Sequence, residues 1–297
     1  MSLKHLGITI TASLFAAVGG TTAWIASALP KSRPAAQILV ESTPERIERG
    51  RHLFHNVADC AGCHSPRDSS KFAMMPVPGM TGAGFVFPAE LGFPGRIVGP
   101  NITPDPETGI GAWTDGEKIR AIREGISRDG RALFSFMPFR QFARLSDEDI
   151  FSLVSYLNSL PPVKNALPRT ELKFPVSVLA RFEPAPVLEP ARPPDPHDRV
   201  RYGEFLAGVA GCLECHSELK NGKPLSGMEY AGNHEFAVGP FVVRSANLTP
   251  DDETGIGKWS EERFVRKFRD YGGLTYETAP RAVQENFTVM PWYGFSQ

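Results

Sequence analysis

Two short cysteine motifs carry the clearest chemistry of this chain. Each has two thiols separated by two residues and followed at once by a histidine, at Cys60-Ala61-Gly62-Cys63-His64 and at Cys212-Leu213-Glu214-Cys215-His216. This spacing is typical of covalent haem attachment, in which the thiols hold the porphyrin edge and the adjacent imidazole binds the iron. The motifs therefore predict two haem attachment sites, with Cys60, Cys63, His64, Cys212, Cys215 and His216.

Two other uses of paired cysteines fit the sequence less well. A four-cysteine zinc site usually has its two pairs about 15 to 20 residues apart, whereas Cys60 and Cys212 are 152 residues apart. A thioredoxin-like dithiol does not need a histidine directly after the second cysteine, and here both copies have one. All four cysteines lie in the two motifs, so none is left for a structural disulfide.

Two methionine–proline pairs follow the motifs at matched distances. Met137-Pro138 begins 73 residues after His64, and Met290-Pro291 begins 74 residues after His216. A single methionine in an apolar run is usually a core residue, but the matched spacing favours thioether ligands. Proline fixes the backbone torsion beside each methionine, which helps to hold its sulfur in one place. We therefore predict Met137 and Met290 as the sixth ligands of the two irons.

An internal duplication explains why these features occur twice. Residues 101–114 return as residues 247–260 with ten of fourteen positions identical. Loop composition alone does not produce such a match, so the two halves of the chain are repeats of one unit. Thr114 with Glu117 forms a predicted capping box after the first copy, and Ser260 is the predicted helix cap after the second.

Further helices are predicted around the first motif. Thr43-Pro44 has a hydroxyl cap followed by proline at the first helical position, and the helix runs toward Cys60. Ser146 begins another helix, with acidic residues in its first turn. The second half stops at Gln297 with no counterpart of that helix. Either the chain is truncated, or a partner covers the face that this helix would cover. In both cases we expect the second lobe to be the less stable and more exposed one.

Size and composition agree with two small helical units. A chain of 297 residues fits about two domains, and 28 glycines and 27 prolines indicate loop-rich lobes. We predict a mainly α fold with a first lobe at 43–162, a second lobe at 199–297 and a Pro-rich linker at 163–198. The linker lies within 161–198, which holds ten prolines and is predicted to be an extended strap. A net charge of −1 gives no indication of nucleic-acid binding.

The N-terminus carries an apolar stretch, predicted to be a helix. Residues 6–29 contain no charge, a length suited to one membrane span. Ala26-Ser27-Ala28 has the small-x-small form of a signal-peptide cleavage site. Residues 1–30 are therefore interpreted as a membrane anchor or a cleaved signal peptide, in preference to a buried core helix, because the stretch has no polar face. Both alternatives place the lobes on the periplasmic side of a bacterial inner membrane, anchored or secreted.

With these motifs, the chain resembles the c-type cytochromes, and more narrowly the cytochrome c subunits of membrane-bound alcohol, aldehyde and gluconate dehydrogenases. The resemblance rests on the paired haem motifs, the repeated passage and the two Met-Pro pairs, and it covers residues 43–297. It implies two tandem cytochrome c-like lobes with two covalently attached haem c groups. It also implies an electron-transfer protein, not an enzyme, that relays electrons from a partner dehydrogenase to a quinone or terminal oxidase.

The resemblance assigns supporting roles near each site. Gly99-Pro100-Asn101 resembles the family turn whose proline carbonyl orients the proximal histidine, and Ser245-Ala246-Asn247 would do so with a non-proline carbonyl. Trp113 and Trp259 are candidates for a bond from the indole N–H to a haem propionate, or else are core residues. Arg96 and Arg244 are candidates for propionate pairing, or else are solvated.

An enzymatic alternative is a two-haem peroxidase or a thiosulfate-oxidising cytochrome. A peroxidase needs an open iron position and distal acid–base groups. The sequence offers a methionine for each iron, and His234 is the spare histidine of the second lobe that could compete. The chain also departs from its dehydrogenase relatives, which often carry three haem motifs where this chain has two.

Overall fold

The computed structural model describes residues 29–220 and 222–295. We call residues 43–162 the first lobe, residues 163–198 the strap and residues 199–295 the second lobe. The α-helices of the described residues are α1 (Pro44–His52), α2 (Cys60–His64), α3 (Asp115–Glu124), α4 (Phe139–Phe142), α5 (Asp147–Ser159), α6 (Val176–Leu179), α7 (Arg199–Val209), α8 (Cys212–Cys215), α9 (Glu261–Arg269) and α10 (Trp292–Phe295). A π-helical turn, Leu53–Val57, continues α1.

Short strands form five antiparallel pairs. These are β1 (Arg67–Asp68) with β2 (Met75–Pro76), β3 (Phe85–Val86) with β5 (Val98–Gly99), β4 (Gly95–Arg96) with β6 (Glu171–Leu172), β7 (Leu219–Lys220) with β8 (Lys223–Pro224), and β9 (Glu235–Val238) with β10 (Phe241–Arg244). In the longest pair, Phe241 lies opposite Val238 and Arg244 opposite Glu235. The fold is therefore helical with small ribbons, in agreement with the predicted fold class.

The predicted helix caps are confirmed. Thr114 and Glu117 form a complete capping box, with bonds of 3.2 and 2.8 Å between each side chain and the other residue's backbone N–H. The hydroxyls of Thr43, Ser146 and Ser260 accept bonds from backbone N–H groups three residues later. These caps satisfy N–H groups that the first turn of a helix leaves without partners.

The core of the first lobe lies where α1 and its π-helical turn cross α5. Leu53 and Phe54 are buried there against Ile150, Leu153 and Leu157. Salt bridges at the rim join Arg46 to Glu148 and Arg49 to Asp149, both at 2.7 Å.

The second lobe has no helix of its own that crosses α7 within the described residues. Instead Phe205 and Val209 of α7 are buried in the first lobe's core, beside Phe142 and Leu145. The sequence left open whether a partner covers the face that lacks a terminal helix. In this structure the first lobe covers it.

A second contact between the lobes runs along the β1–β2 hairpin. The backbone N–H of Phe72 donates to the Pro280 carbonyl at 2.9 Å, and that of Ala282 donates to the Ser70 carbonyl at 2.7 Å. Two small apolar clusters on this hairpin contain residues of both lobes. The lobes therefore share their packing instead of forming two separate cores.

The predicted N-terminal apolar helix lies almost entirely outside the described residues. Among residues 29–220 and 222–295, no helix has the length and hydropathy to cross a bilayer. The choice between anchor and signal peptide therefore stays a prediction.

Candidate haem sites

The first cysteine motif forms the short helix α2. Asp59, with a left-handed φ of 44°, caps it by accepting a bond of 3.1 Å from the Gly62 N–H. Cys60 and Cys63 lie three residues apart on this turn, so both thiols point to one side. Burial raises the pKa of Cys63 to about 12. A redox dithiol needs a readily formed thiolate, so this setting does not favour the thioredoxin-like alternative.

The imidazole of His64 is oriented by a backbone carbonyl. Its Nδ1 lies 2.8 Å from the Pro100 oxygen, and because a carbonyl only accepts, Nδ1 carries the hydrogen. Nε2 then has the lone pair that a metal requires. Burial lowers the pKa of His64, which favours the neutral ring. The turn can come this close because Gly99 has no side chain. A Cβ there would lie 2.0 Å from the Cys63 oxygen.

A cavity of about 320 Å³ opens beside α2 in the first lobe. Its lining is mostly apolar and comes from α3, α5, the loops around them and the strap. The five residues predicted to bind the cofactor in the first lobe line it together, namely Cys60, Cys63, His64, Trp113 and Met137. Two thiols, an imidazole and a thioether in an apolar cavity are the donor set of a covalently attached haem. The residues of the first lobe therefore fit this group.

Met137 is held by a turn and a one-turn helix. Its N–H donates to the Phe134 carbonyl at 3.0 Å, and its own carbonyl accepts from the Phe139 N–H at 2.8 Å. Phe139 begins α4 and is 1% exposed. The thioether is thus anchored by a buried aromatic residue two positions later.

The strap closes one side of the cavity, which sequence reasoning did not predict. Leu167, Pro168, Arg169 and Thr170 are among the lining residues. The Thr170 hydroxyl accepts from the Val98 N–H at 3.0 Å. No pattern in this stretch repeats in the second half, so the sequence carried little signal for the contact.

The repeated passage forms the same internal hydrogen bonds in both lobes. The Asn101 side-chain oxygen accepts from the Thr103 N–H at 3.0 Å and from its hydroxyl at 2.7 Å. The corresponding bonds from Thr249 to Asn247 are 2.8 and 2.7 Å. The duplicated asparagine and threonine therefore make the loop's internal hydrogen bonds. In each lobe the loop begins next to the carbonyl that orients the histidine.

The second lobe reproduces the histidine geometry. Nδ1 of His216 lies 2.8 Å from the Ala246 oxygen, so a non-proline carbonyl takes this place. Burial raises the pKa values of Cys212 and Cys215 to about 11 each. The Met290 carbonyl accepts from the Trp292 N–H at 2.8 Å, as the Met137 carbonyl does from Phe139. The local environments of His216, the two cysteines and Met290 therefore match those of the corresponding residues in the first lobe.

The remaining candidates have other contacts. Trp259 lies under the Arg263 guanidinium, 4.3 Å from ring centroid to Cζ. Arg96 pairs with Glu171 at 2.8 Å and Arg244 with Glu235 at 2.7 Å, so each arginine considered for propionate pairing already has a carboxylate. Arg131 and Arg169 line the cavity instead. They were not singled out from the sequence, where nothing marks them among the other arginines.

His234 packs against an aromatic neighbour. Its ring lies edge-on to Phe236 with centroids 4.6 Å apart, and burial lowers its pKa.

Comparison with known proteins gives a consistent set of relatives. The cytochrome c family model matches residues 47–161. The chain is 31% identical to the fructose dehydrogenase cytochrome subunit of Gluconobacter japonicus over 73% of this chain and 43% of the relative. It is 29% identical to the cytochrome c subunit of quinone alcohol dehydrogenase from Gluconobacter oxydans over 74% of this chain and 45% of the relative. It is 30% identical to a diheme cytochrome c-type protein of Cereibacter sphaeroides over 60% of this chain and 62% of the relative. The chain thus spans less than two thirds of each.

Proposed function

We propose that the chain is a two-haem electron-transfer protein, because the cytochrome c family model matches residues 47–161. It relays electrons from a partner dehydrogenase to a quinone or a terminal oxidase and does not itself catalyse substrate oxidation. The observation that carries this proposal is the first-lobe cavity, which brings His64 and Met137 together beside the two thiols of α2.

The ligand set favours electron transfer over catalysis. An electron carrier needs an iron that changes charge without changing ligands. His64 and Met137 would supply an imidazole and a thioether to the iron; this ligand pair would leave no position for a substrate, and the thioether would favour the reduced state. When bound, haem c supplies one-electron oxidation and reduction.

The chain's own residues set the conditions for this chemistry. The Pro100 carbonyl, bonded to Nδ1 of His64, fixes the ring and increases its basicity as a ligand. The apolar lining, including Ile110 and Leu153, excludes water and keeps the local dielectric constant low. Cys60 and Cys63 would hold the group covalently, so the protein does not lose it on dilution.

The proposal of a second haem is supported by the matching geometry of the second lobe. His216 meets the Ala246 carbonyl at the same distance as His64 meets Pro100, and the carbonyls of Met137 and Met290 each accept from the N–H two residues later at 2.8 Å. A relative described as diheme adds support. We propose His216 and Met290 as the ligands and Cys212 and Cys215 as the attachment residues.

The relatives support the proposed electron donor, and the N-terminal sequence supports the proposed cellular location. One relative is named as the cytochrome c subunit of a quinone alcohol dehydrogenase, which supports our proposal of a dehydrogenase as electron donor. The uncharged residues 6–29 support our proposal of a location on the periplasmic side of a bacterial inner membrane.

The test uses the matured full chain. We expect two covalently bound haems per polypeptide and, in the ferric state, the weak red charge-transfer band of thioether-ligated iron. Met137→His and Met290→His should each remove about half of that band, since each replaces one of two thioethers. A high-spin ferric spectrum at rest with rapid peroxide turnover would contradict electron relay and support the peroxidase alternative.

A further inference from the structure

Each methionine turn leads into a one-turn helix that touches the opposite lobe. In the first lobe, α4 follows Met137 and contacts α7 of the second lobe. In the second lobe, α10 follows Met290 and contacts the π-helical turn Leu53–Val57 of the first. Both contacted segments lead directly into a cysteine motif. The two contacts are therefore related by the duplication, and each distal-ligand turn rests on the other lobe.

The contact beneath Met290 is made by a buried amide. Asn56 is 6% exposed, and its side-chain N–H donates to the Gly294 carbonyl. A Cβ at Gly294 would lie 2.7 Å from the His55 carbonyl oxygen, so the two backbones pass too closely for a side chain there. Tyr293, next to Gly294, is buried against Phe72, Ala73 and Met75 of the first lobe.

The related contact beneath Met137 is built differently. Gly208 corresponds to Asn56 by distance from the cysteine motifs, and Gln141 corresponds to Gly294 by distance from the methionines. A Cβ at Gly208 would lie 3.2 Å from the Gln141 side-chain oxygen. The glycine and the polar residue have thus exchanged sides between the two contacts.

Backbone hydrogen bonds join the methionine turn of the second lobe to Gly294. The Met290 carbonyl accepts from the Trp292 N–H at 2.8 Å, and the Pro291 carbonyl accepts from the Gly294 N–H at 2.9 Å. An anchor at Gly294 therefore fixes the position of Met290. The neighbouring helix α9 also contacts this turn, since Phe268 lies edge-on to Trp292 with ring centroids 5.5 Å apart, but no residue of α9 is buried.

We propose that Asn56 of the first lobe is a positioning residue for the second haem site. By holding the Gly294 carbonyl it fixes the turn that carries Met290, and the second site is completed by the first lobe. This inference rests on the proposed function, because it takes Met290 as an iron ligand.

The experiment measures how easily added imidazole displaces Met290 from ferric iron in the matured full chain. A Met137→His background removes the first site's charge-transfer band, so the remaining band reports Met290 alone. Asn56→Ala leaves the buried Gly294 carbonyl without its donor, which should lower the imidazole concentration at half-displacement roughly fivefold to a hundredfold. Gly294→Ala disrupts the same contact by placing a methyl group against the His55 carbonyl, and it should have an effect of similar size.

Gly203→Ala is the matched control, because it lies in α7 of the same lobe with open space around it. It should leave the titration unchanged. In a Met290→His background, which reports Met137 alone, Asn56→Ala should change nothing.

Unchanged displacement of Met290 in either mature contact variant would overturn the inference, as would an equal change at both sites. If one contact variant fails to mature, the other decides. Failure of the proposed function is seen separately, because the parent protein would then lack two haems or the band before any change at Asn56.

Discussion

The two lobes share the loops that carry the proposed ligands, but different elements pack against these loops. In both, the histidine Nδ1 lies 2.8 Å from a backbone carbonyl, and the repeated loop has the same internal bonds. The first lobe adds a crossing helix, α5, and a cavity closed by the strap. The second lobe buries Phe205 and Val209 in the first lobe's core instead. The duplication therefore preserved local loops but not an independent core.

The difference extends to the attachment helices. Asp59 caps α2, whereas α8 begins after Gly211 with no side-chain cap. Ala61 and Gly62 are buried in α2, whereas α8 has no buried residue. The greater exposure expected of the second lobe is seen at these positions, while its lower stability stays a prediction.

The largest expected effect tests whether the lobes unfold together. Phe205→Ala removes a ring of the second lobe that is 4% exposed and should lower the free energy of unfolding by about 3 to 5 kcal/mol. Because that ring lies in the first lobe's core, denaturant unfolding followed at each haem should shift by the same amount. Val200→Ala, on the same helix and 82% exposed, should change it by about 0.5 kcal/mol or less. Loss of the second lobe in a separate, earlier transition would contradict a shared core.

The pH dependence of stability should distinguish the N-terminus of α3 from that of α9, the two helices that follow the repeated loop. Asp115 begins α3. Burial raises the pKa of its carboxyl group, but hydrogen bonds from the Val40 N–H and Asn158 and the charge of Lys118 lower the pKa by more. The net pKa lies below the ordinary value of 3.8. A depressed folded pKa stabilises the fold above the unfolded value, and that stabilisation is lost as the pH falls through the folded value.

Asp115→Asn should therefore reduce the fall in stability of the full chain below about pH 4, measured by urea unfolding at several pH values. The corresponding Glu261 pairs with Arg199 on the surface at 3.0 Å, and Glu261→Gln is the matched control with little effect. Identical profiles of stability against pH for the parent and Asp115→Asn would show that the pKa of Asp115 is not lowered by folding.

The helix caps should show a smaller difference between the lobes. Thr114→Ala breaks a complete capping box on a helix with buried residues and should lower the free energy of unfolding by about 1 kcal/mol. Ser260→Ala removes a cap from α9, which has no buried residue, and should lower it by about 0.5 kcal/mol. Thermal or urea unfolding measures both. An equal or larger loss for Ser260→Ala would mean that α9 contributes as much to global stability as α3.

The smallest expected effect concerns the related lobe contact at Gly208. Its added methyl would meet only the flexible ends of Arg144 and Gln141, and alanine is favoured over glycine within a helix by up to about 1 kcal/mol. Gly208→Ala should thus leave stability unchanged or slightly higher, and imidazole displacement of Met137 unchanged. A marked loosening of Met137 would show that the two contacts are equally strict.

The sequence by itself determined the local features of this protein. The cysteine motifs, the repeated loop and the caps at Thr43, Thr114, Ser146 and Ser260 were readable because their partners lie within a few residues. The loop bonds from Thr103 to Asn101 need only two residues of separation. The family resemblance rested on these same short patterns, and the match of residues 47–161 to the cytochrome c model agrees with it.

Only the tertiary structure decided how the lobes share their support. The contact of Asn56 with Gly294 joins residues 238 positions apart, and the contact of Thr170 with Val98 joins residues 72 apart. The same holds for Arg96, whose partner Glu171 lies 75 positions away. Such contacts depend on how separately formed helices and loops pack, and packing of this kind leaves no periodic pattern along the chain.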